Sequence, residues 1–161
     1  MTDGRSRVII ENLSPQVESG RFPAKRAVGE LLTVSADIFV DGHDALCAVL
    51  QHRVGEDDGY LETWMVHQVN DRWSASILIT EQRDIHFTVT AWVDHFGTWL
   101  DRVRKKSAAG QDLTVEMMDG AQLIRITAEN ARTRAQQDDA RSLEQFASRL
   151  DNLPPGRAVV Q

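Results

Sequence analysis

The sequence predicts an α+β protein: an immunoglobulin-like antiparallel β-sandwich followed by a three-helix antiparallel bundle. Three observations carry this. Up to Val93 the chain breaks into short apolar/polar alternations, separated by turn residues at intervals of about 8–12 residues. Within Ile85–Lys106 the period changes. Ile85, Phe87, Val89, Ala91 and Val93 alternate with polar neighbours and Trp92, while Phe96, Trp99, Leu100 and Val103 recur at i, i+3, i+4 and i+7. Beyond that switch, three amphipathic stripes follow one another with short links.

The strands come first. Arg7–Leu13 reads as a short strand closed by Ser14-Pro15, because proline has no donor for a ladder. A polar connection, QVESGRFPAKRAVGE, is punctuated by Gly20, Pro23 and Gly29. Leu32–Val40 places Leu32, Val34, Ala36 and Ile38 on one face. Asp41-Gly42 is a hairpin signal, so Ala45–Val54 is expected to return beside Leu32–Val40. That returning strand is apolar on both faces, which predicts a central position in its sheet. Tyr60–Val69 reads as one strand, and Arg72–Ile79 as the next, with Trp73, Ala75 and Ile77 on its inner face.

The helices follow. The first runs from about His95 to Ala108 and stops at Gly110, a residue suited to C′. Asp112 is the expected N-cap of the second. Its stripe is Leu113, Met117, Ala121, Ile124, Ala128 and Ala131, with Leu123 alongside. Gly120 sits mid-helix, where it costs about 1 kcal/mol in propensity, so a close helix crossing is expected there. Asp138 or Asp139 should cap the third helix. Its inner face is Ala140, Leu143, Phe146, Ala147 and Leu150, and Asn152 and Pro154-Pro155 end it. The expected domains are a sandwich over residues 5–94, a bundle over 95–152 and a tail over 153–161.

Composition narrows the function. The net charge is −6, and the acidic excess lies in the β half, which argues against nucleic acid. No apolar run approaches the roughly 18 residues of a membrane-spanning helix, and the N-terminus has no secretory pattern. The single cysteine, Cys47, lies in an apolar run. A reducing, cytoplasmic setting is expected. Histidines at 43, 52, 67, 86 and 95 show no zinc-type spacing, and Asp41, His43 and Asp44 read as a solvated turn. Neither a metal nor a cofactor is expected. Asp57 and Asp58 read as a solvated loop, not an acid/base pair.

Two clusters remain as candidate contacts. Trp64 and Trp92 lie at β positions from which an indole can leave the core. Trp92 is opposite the apolar set of its own strand. Inter-element or subunit packing is the first reading, and stacking on a sugar ring the second. Asp94 stands at the strand-to-helix switch. With Trp92, Phe96 and Trp99 it is expected to fix the sandwich and the bundle at one angle. Arg21, Lys25 and Arg26 crowd around Phe22-Pro23, either as an anion or sugar-phosphate contact or as a loop tied to Glu30, Asp94 or Asp101.

Taken together, RVIIENLSPQVESGRFPAKRAVGE, VSADIFVDGHDAL, NDRW and FTVTAWVDHFGTWLDRVRKKSAAGQDL resemble the N-terminal region of the α-1,4-glucan:maltose-1-phosphate maltosyltransferases, in glycoside hydrolase family 13. The blocks ENxSP, GRFPAKR, DGHD, NDRW and AWVDxFxTW match in order over roughly residues 5–150. The resemblance implies a sandwich with a helical insert that precedes a catalytic (β/α)8 barrel and supports a homodimer. It also implies transfer of maltosyl units from maltose 1-phosphate to α-glucan, with both catalytic carboxylates in the barrel. No catalytic residue of the family maps onto this sequence, which ends at Gln161 before any barrel. The expected role is therefore a non-catalytic accessory and dimerisation region, inactive alone, whose partners are that barrel and a second copy. A free-standing α-glucan-binding or regulatory module is the alternative. The closing strand implied for the sandwich is missing, which should leave a sheet edge open.

Overall fold

The computed structural model describes residues 8–56 and 59–153. Arg7, Asp57, Asp58 and, of the expected tail, residues 154–161 lie outside the described residues. The chain divides into two compact units, Met1–Val93 and Asp94–Gln161.

The first unit is a two-sheet antiparallel sandwich. Its strands are β1 (Ile9–Ser14), β2 (Leu31–Phe39), β3 (Leu46–Val54), β4 (Leu61–Trp64), β5 (Val66–His67), β6 (Arg72–Leu78) and β7 (Ile85–Val93). One sheet has the order β1-β2-β6-β5 and the other β4-β3-β7. Leu32, Val34, Ala36 and Ile38 of β2 meet Ala48 and Leu50 of β3 and Ala75 and Ile77 of β6 in one buried cluster. Trp73, Phe87, Val89 and Ala91 pack against its margin. The period-two reading of β2, β6 and β7 is therefore the observed inward set, and β3 is central in its sheet, as expected.

Two expectations about connectivity fail. First, β2 and β3 do not form a hairpin. β2 pairs with β1 and β6, whereas β3 pairs with β4 and β7. The connection through Asp41-Gly42 spans the space between sheets, a gap of about 10 Å that a few extended residues can cross. The apolar faces of the two strands then bury against each other, where a hairpin would have placed them side by side. Second, Tyr60–Val69 is not one strand. It breaks at Met65. Leu61–Trp64 pairs with β3, and Val66–His67 pairs with β6 in the other sheet. Met65 is buried in the core, and its N–H donates to the Ala48 carbonyl at 2.9 Å.

The second unit is helical: α1 (His95–Ala108), α2 (Thr114–Thr133) and α3 (Gln137–Asp151). Asp94 begins it as the N-cap of α1, its carboxylate accepting from the Gly97 N–H at 2.8 Å. The helix closes with a Schellman arrangement. Gly110, at φ 65°, donates to the Ser107 carbonyl, and Gln111 donates to that of Lys106. The whole predicted α2 stripe is buried. Gly120 does mark a close crossing, since a Cβ there would lie 2.4 Å from Cζ2 of Trp99. The Trp99 indole N–H donates to the Glu116 carbonyl at 2.6 Å.

The helix starts differ from expectation. Asp112 lies one residue before the cap position, which Leu113 holds, and it accepts from the N–H and hydroxyl of Thr114 instead. Gln136 is the cap position of α3. Asp138 and Asp139 fall in its first turn, where they oppose the helix dipole without capping it. Phe146 is not interior, being 56% exposed. α2 lies between the other two helices, and α1 and α3 scarcely meet. The gap is an apolar groove of about 230 Å³ lined by Phe96, Trp99, Ile124, Phe146 and Leu150.

Candidate functional site

The outer face of the β4-β3-β7 sheet is built by strand register. Opposite Val49 of β3 stands Trp64 of β4, and opposite Cys47 stands Trp92 of β7. The two indoles therefore approach from opposite sides of β3, offset by one pleat. Their centroids are 5.8 Å apart and their planes are inclined at 61°. Val49, although outward-facing, is only 3% exposed beneath them, while Trp64 is 64% and Trp92 40% exposed.

One pleat along β3 the face becomes polar. Gln51 sits opposite Glu62 of β4 and Thr88 of β7. Its amide donates to Glu62 Oε1 at 2.8 Å, and its carbonyl oxygen accepts from the Thr90 hydroxyl at 3.1 Å. One pleat further, Arg53 lies over the Tyr60 ring at 5.4 Å and donates to the Glu56 carbonyl. The result is a strip running from two inclined indoles to a fixed row of amide, carboxylate and hydroxyl, and then to a cation on an aromatic ring.

The other expected contacts lie elsewhere. Asp94 caps α1 in the helical unit. Arg21, Lys25 and Arg26 are exposed in the loop after β1. Arg21 lies over the Phe22 ring at 5.5 Å, and Arg26 donates to the Lys25 carbonyl. Of the alternative ties, that to Glu30 is not seen: its carboxylate accepts from the Ala27 N–H within its own turn. Of the four tryptophans, Trp73 packs at the sandwich core beside His67, and Trp99 is in the helical core. Only Trp64 and Trp92 meet on an outer face. Gln51, Glu62 and Thr90 escaped the sequence reading because a polar residue in a strand carries no mark of its register partner.

The electrostatics are those of structural carboxylates. Asp37 is held below the usual carboxylate range, first by the Asn12 amide at 2.7 Å and then by Arg72 at 2.9 Å. Asp112 is lowered by the Thr114 hydroxyl. Glu116, 2% exposed, is lowered chiefly by the hydrogen bond from Lys106 at 2.5 Å. Its other oxygen has no hydrogen-bond partner among the described residues. Burial pushes the His52 imidazole down, towards its neutral form. Among the described residues no three metal-ligating side chains converge, and no helix is long and apolar enough to cross a membrane.

Residues 6–160 match the family model described as α-1,4-glucan:maltose-1-phosphate maltosyltransferase, domain N/S. The chain is 39% identical over 148 residues to the α-1,4-glucan:maltose-1-phosphate maltosyltransferase of Chlorobaculum tepidum, covering 92% of this chain and 22% of that protein. The protein of the same name from Myxococcus xanthus is 39% identical over 158 residues, 96% of this chain and 24% of its own length. That from Burkholderia pseudomallei is 38% identical over 156 residues, 95% of this chain and 13% of its own. The chain thus spans about a quarter or less of the length of these curated relatives.

Proposed function

Because the chain belongs to the domain N/S family, the N-terminal region of α-1,4-glucan:maltose-1-phosphate maltosyltransferases, we propose that it is a non-catalytic accessory and dimerisation region of such an enzyme. The enzyme would extend α-1,4-glucans from maltose 1-phosphate, with its reacting carboxylates outside these residues. The observation that carries this reading is coverage: nearly the whole chain matches relatives of which it is a quarter or less.

For the subunit contact we propose the helical groove around Phe96 and Phe146, where two aromatic rings stand half exposed beside Leu153. Incubating the 161-residue chain with maltose 1-phosphate and glycogen should release no phosphate above the blank. Phosphate release with turnover would overturn the accessory reading. In sedimentation velocity the chain should run as a dimer, and Phe146→Glu should run as a monomer. A wild-type monomer would remove the dimerisation role.

A further inference from the structure

We propose that the outer face of the β4-β3-β7 sheet binds α-1,4-glucan. Trp64 and Trp92 form the stacking platform, and Gln51, Glu62 and Thr90 are the polar strip beside it. The choice of glucan rests on the maltosyltransferase reading above, whereas the site itself rests on geometry.

A pyranose ring has apolar C–H faces and a rim of hydroxyls. It is therefore bound by an aromatic plane with donors and acceptors at its edge. This face has both, one pleat apart on the same three strands. The indoles are the outward aromatics at this end of the strip, with Tyr60 at the other, and they lie over Val49 so that one side of the pair is fixed on the sheet. The polar strip is preorganised. Gln51 is held between Glu62 and Thr90, which lowers the ordering cost of binding. Capacity remains after those bonds: a second Glu62 oxygen, a second Gln51 amide hydrogen and the lone pairs of the Thr90 hydroxyl.

The 61° between the rings selects the linkage. Successive residues of an α-1,4-glucan turn relative to one another, so the chain presents its apolar faces in different directions. A β-1,4-glucan is a flat ribbon and suits coplanar rings. The bent platform therefore matches the α-linked chain. A second protein copy is a poorer occupant. Its footprint would be about 800 Å² per partner, and beyond the two indoles and Tyr60 this face offers mainly Gln, Glu, Thr and Arg.

The test is isothermal titration of the 161-residue chain with maltoheptaose and with cellohexaose. Saturable binding of maltoheptaose is expected, with cellohexaose much weaker. Trp64→Ala and Trp92→Ala should each weaken it roughly tenfold, the scale of losing one aromatic stacking contact. Gln51→Ala removes polar contacts while keeping both rings, and should also weaken binding. Far-UV circular dichroism and melting establish that each variant is folded. No heat at millimolar maltoheptaose overturns the proposal. So does equal affinity for cellohexaose, or folded tryptophan variants that bind like wild type. Dissociation of an oligomer by Trp92→Ala, without glucan binding, would reassign the face to a protein contact. Phosphate release by the chain alone would sink the accessory reading and leave this site standing.

Discussion

In the sandwich, the closed interior is filled by Val34, Ile38, Leu50 and Ile77, branched side chains that interlock between two sheets. In the helical unit the closest contact is made by small residues. Ala121, Ala128 and Ala131 of α2 are buried, as are Ala140 and Ala147 of α3. Gly120 lies under Trp99. Small residues let the helix backbones approach, whereas branched ones hold the two sheets apart. Both units keep large apolar side chains on their surfaces: Trp64, Trp92, Leu61 and Val66 in the sandwich, and Phe96, Met118, Ile126 and Phe146 in the helical unit. The difference lies in how each interior is closed, by interlocking branched side chains in one and by close backbone approach in the other.

The largest expected effect tests that contrast. Trp99→Ala removes the one large aromatic in the helical core together with its hydrogen bond to the Glu116 carbonyl. It should cost about 3–5 kcal/mol. Leu50→Ala in the sandwich should fall in the same range of about 2–5 kcal/mol. Thermal melting by circular dichroism compares the two. An unchanged melting temperature for Trp99→Ala would mean that the helical core is held elsewhere.

A smaller effect isolates the close crossing. Gly120→Ala improves helix propensity by about 1 kcal/mol. The added methyl, however, meets a packed indole at 2.4 Å, and overpacking typically costs about 1–3 kcal/mol. The net sign should be destabilising. A stabilised variant would show that Trp99 can move aside cheaply.

The smallest effect concerns acid, and it appears in both units. Asp37 in the sandwich and Glu116 in the helical unit both have lowered folded pKa values. Their stabilisation is complete above the unfolded values and is lost as pH falls through the folded ones. Asp37 and Glu116 should make denaturant midpoints fall below about pH 4, and the lowered His52 should add an earlier fall that begins below about pH 6.5. Asn12→Ala weakens the hold on Asp37 and should make the decline below about pH 4 smaller, because the folded pKa moves up towards the unfolded one. A midpoint that rises on acidification would contradict both assignments.

The unequal legibility of the two units follows from the range of their interactions. The stripe of α2, Trp99 and Val103 of α1, the stop at Gly110 and the inward faces of β2, β6 and β7 are local patterns, and each was readable, whereas Phe96 at the start of the α1 stripe stands half exposed. Phe146 misled because a stripe gives the direction of a face and not the depth of what covers it. The hairpin at Asp41-Gly42 misled because the same dipeptide serves a turn within a sheet or a passage between sheets. The site was half legible. Trp92 declared itself by standing opposite the apolar set of β7. Its meeting with Trp64 depends on the register of two strands on a third, which no short window contains.

The break at Met65 gives the aromatic face a property that surface residues seldom have. Trp64 is the last residue of β4 in one sheet and Val66 the first of β5 in the other, and the side chain between them is anchored in the core. The indole therefore stands on a short lever whose fulcrum lies inside the protein. Repacking the interior at Met65 would swing a ring on the exterior. The outer face is thus tied to the interior and is less free to drift than its exposure suggests.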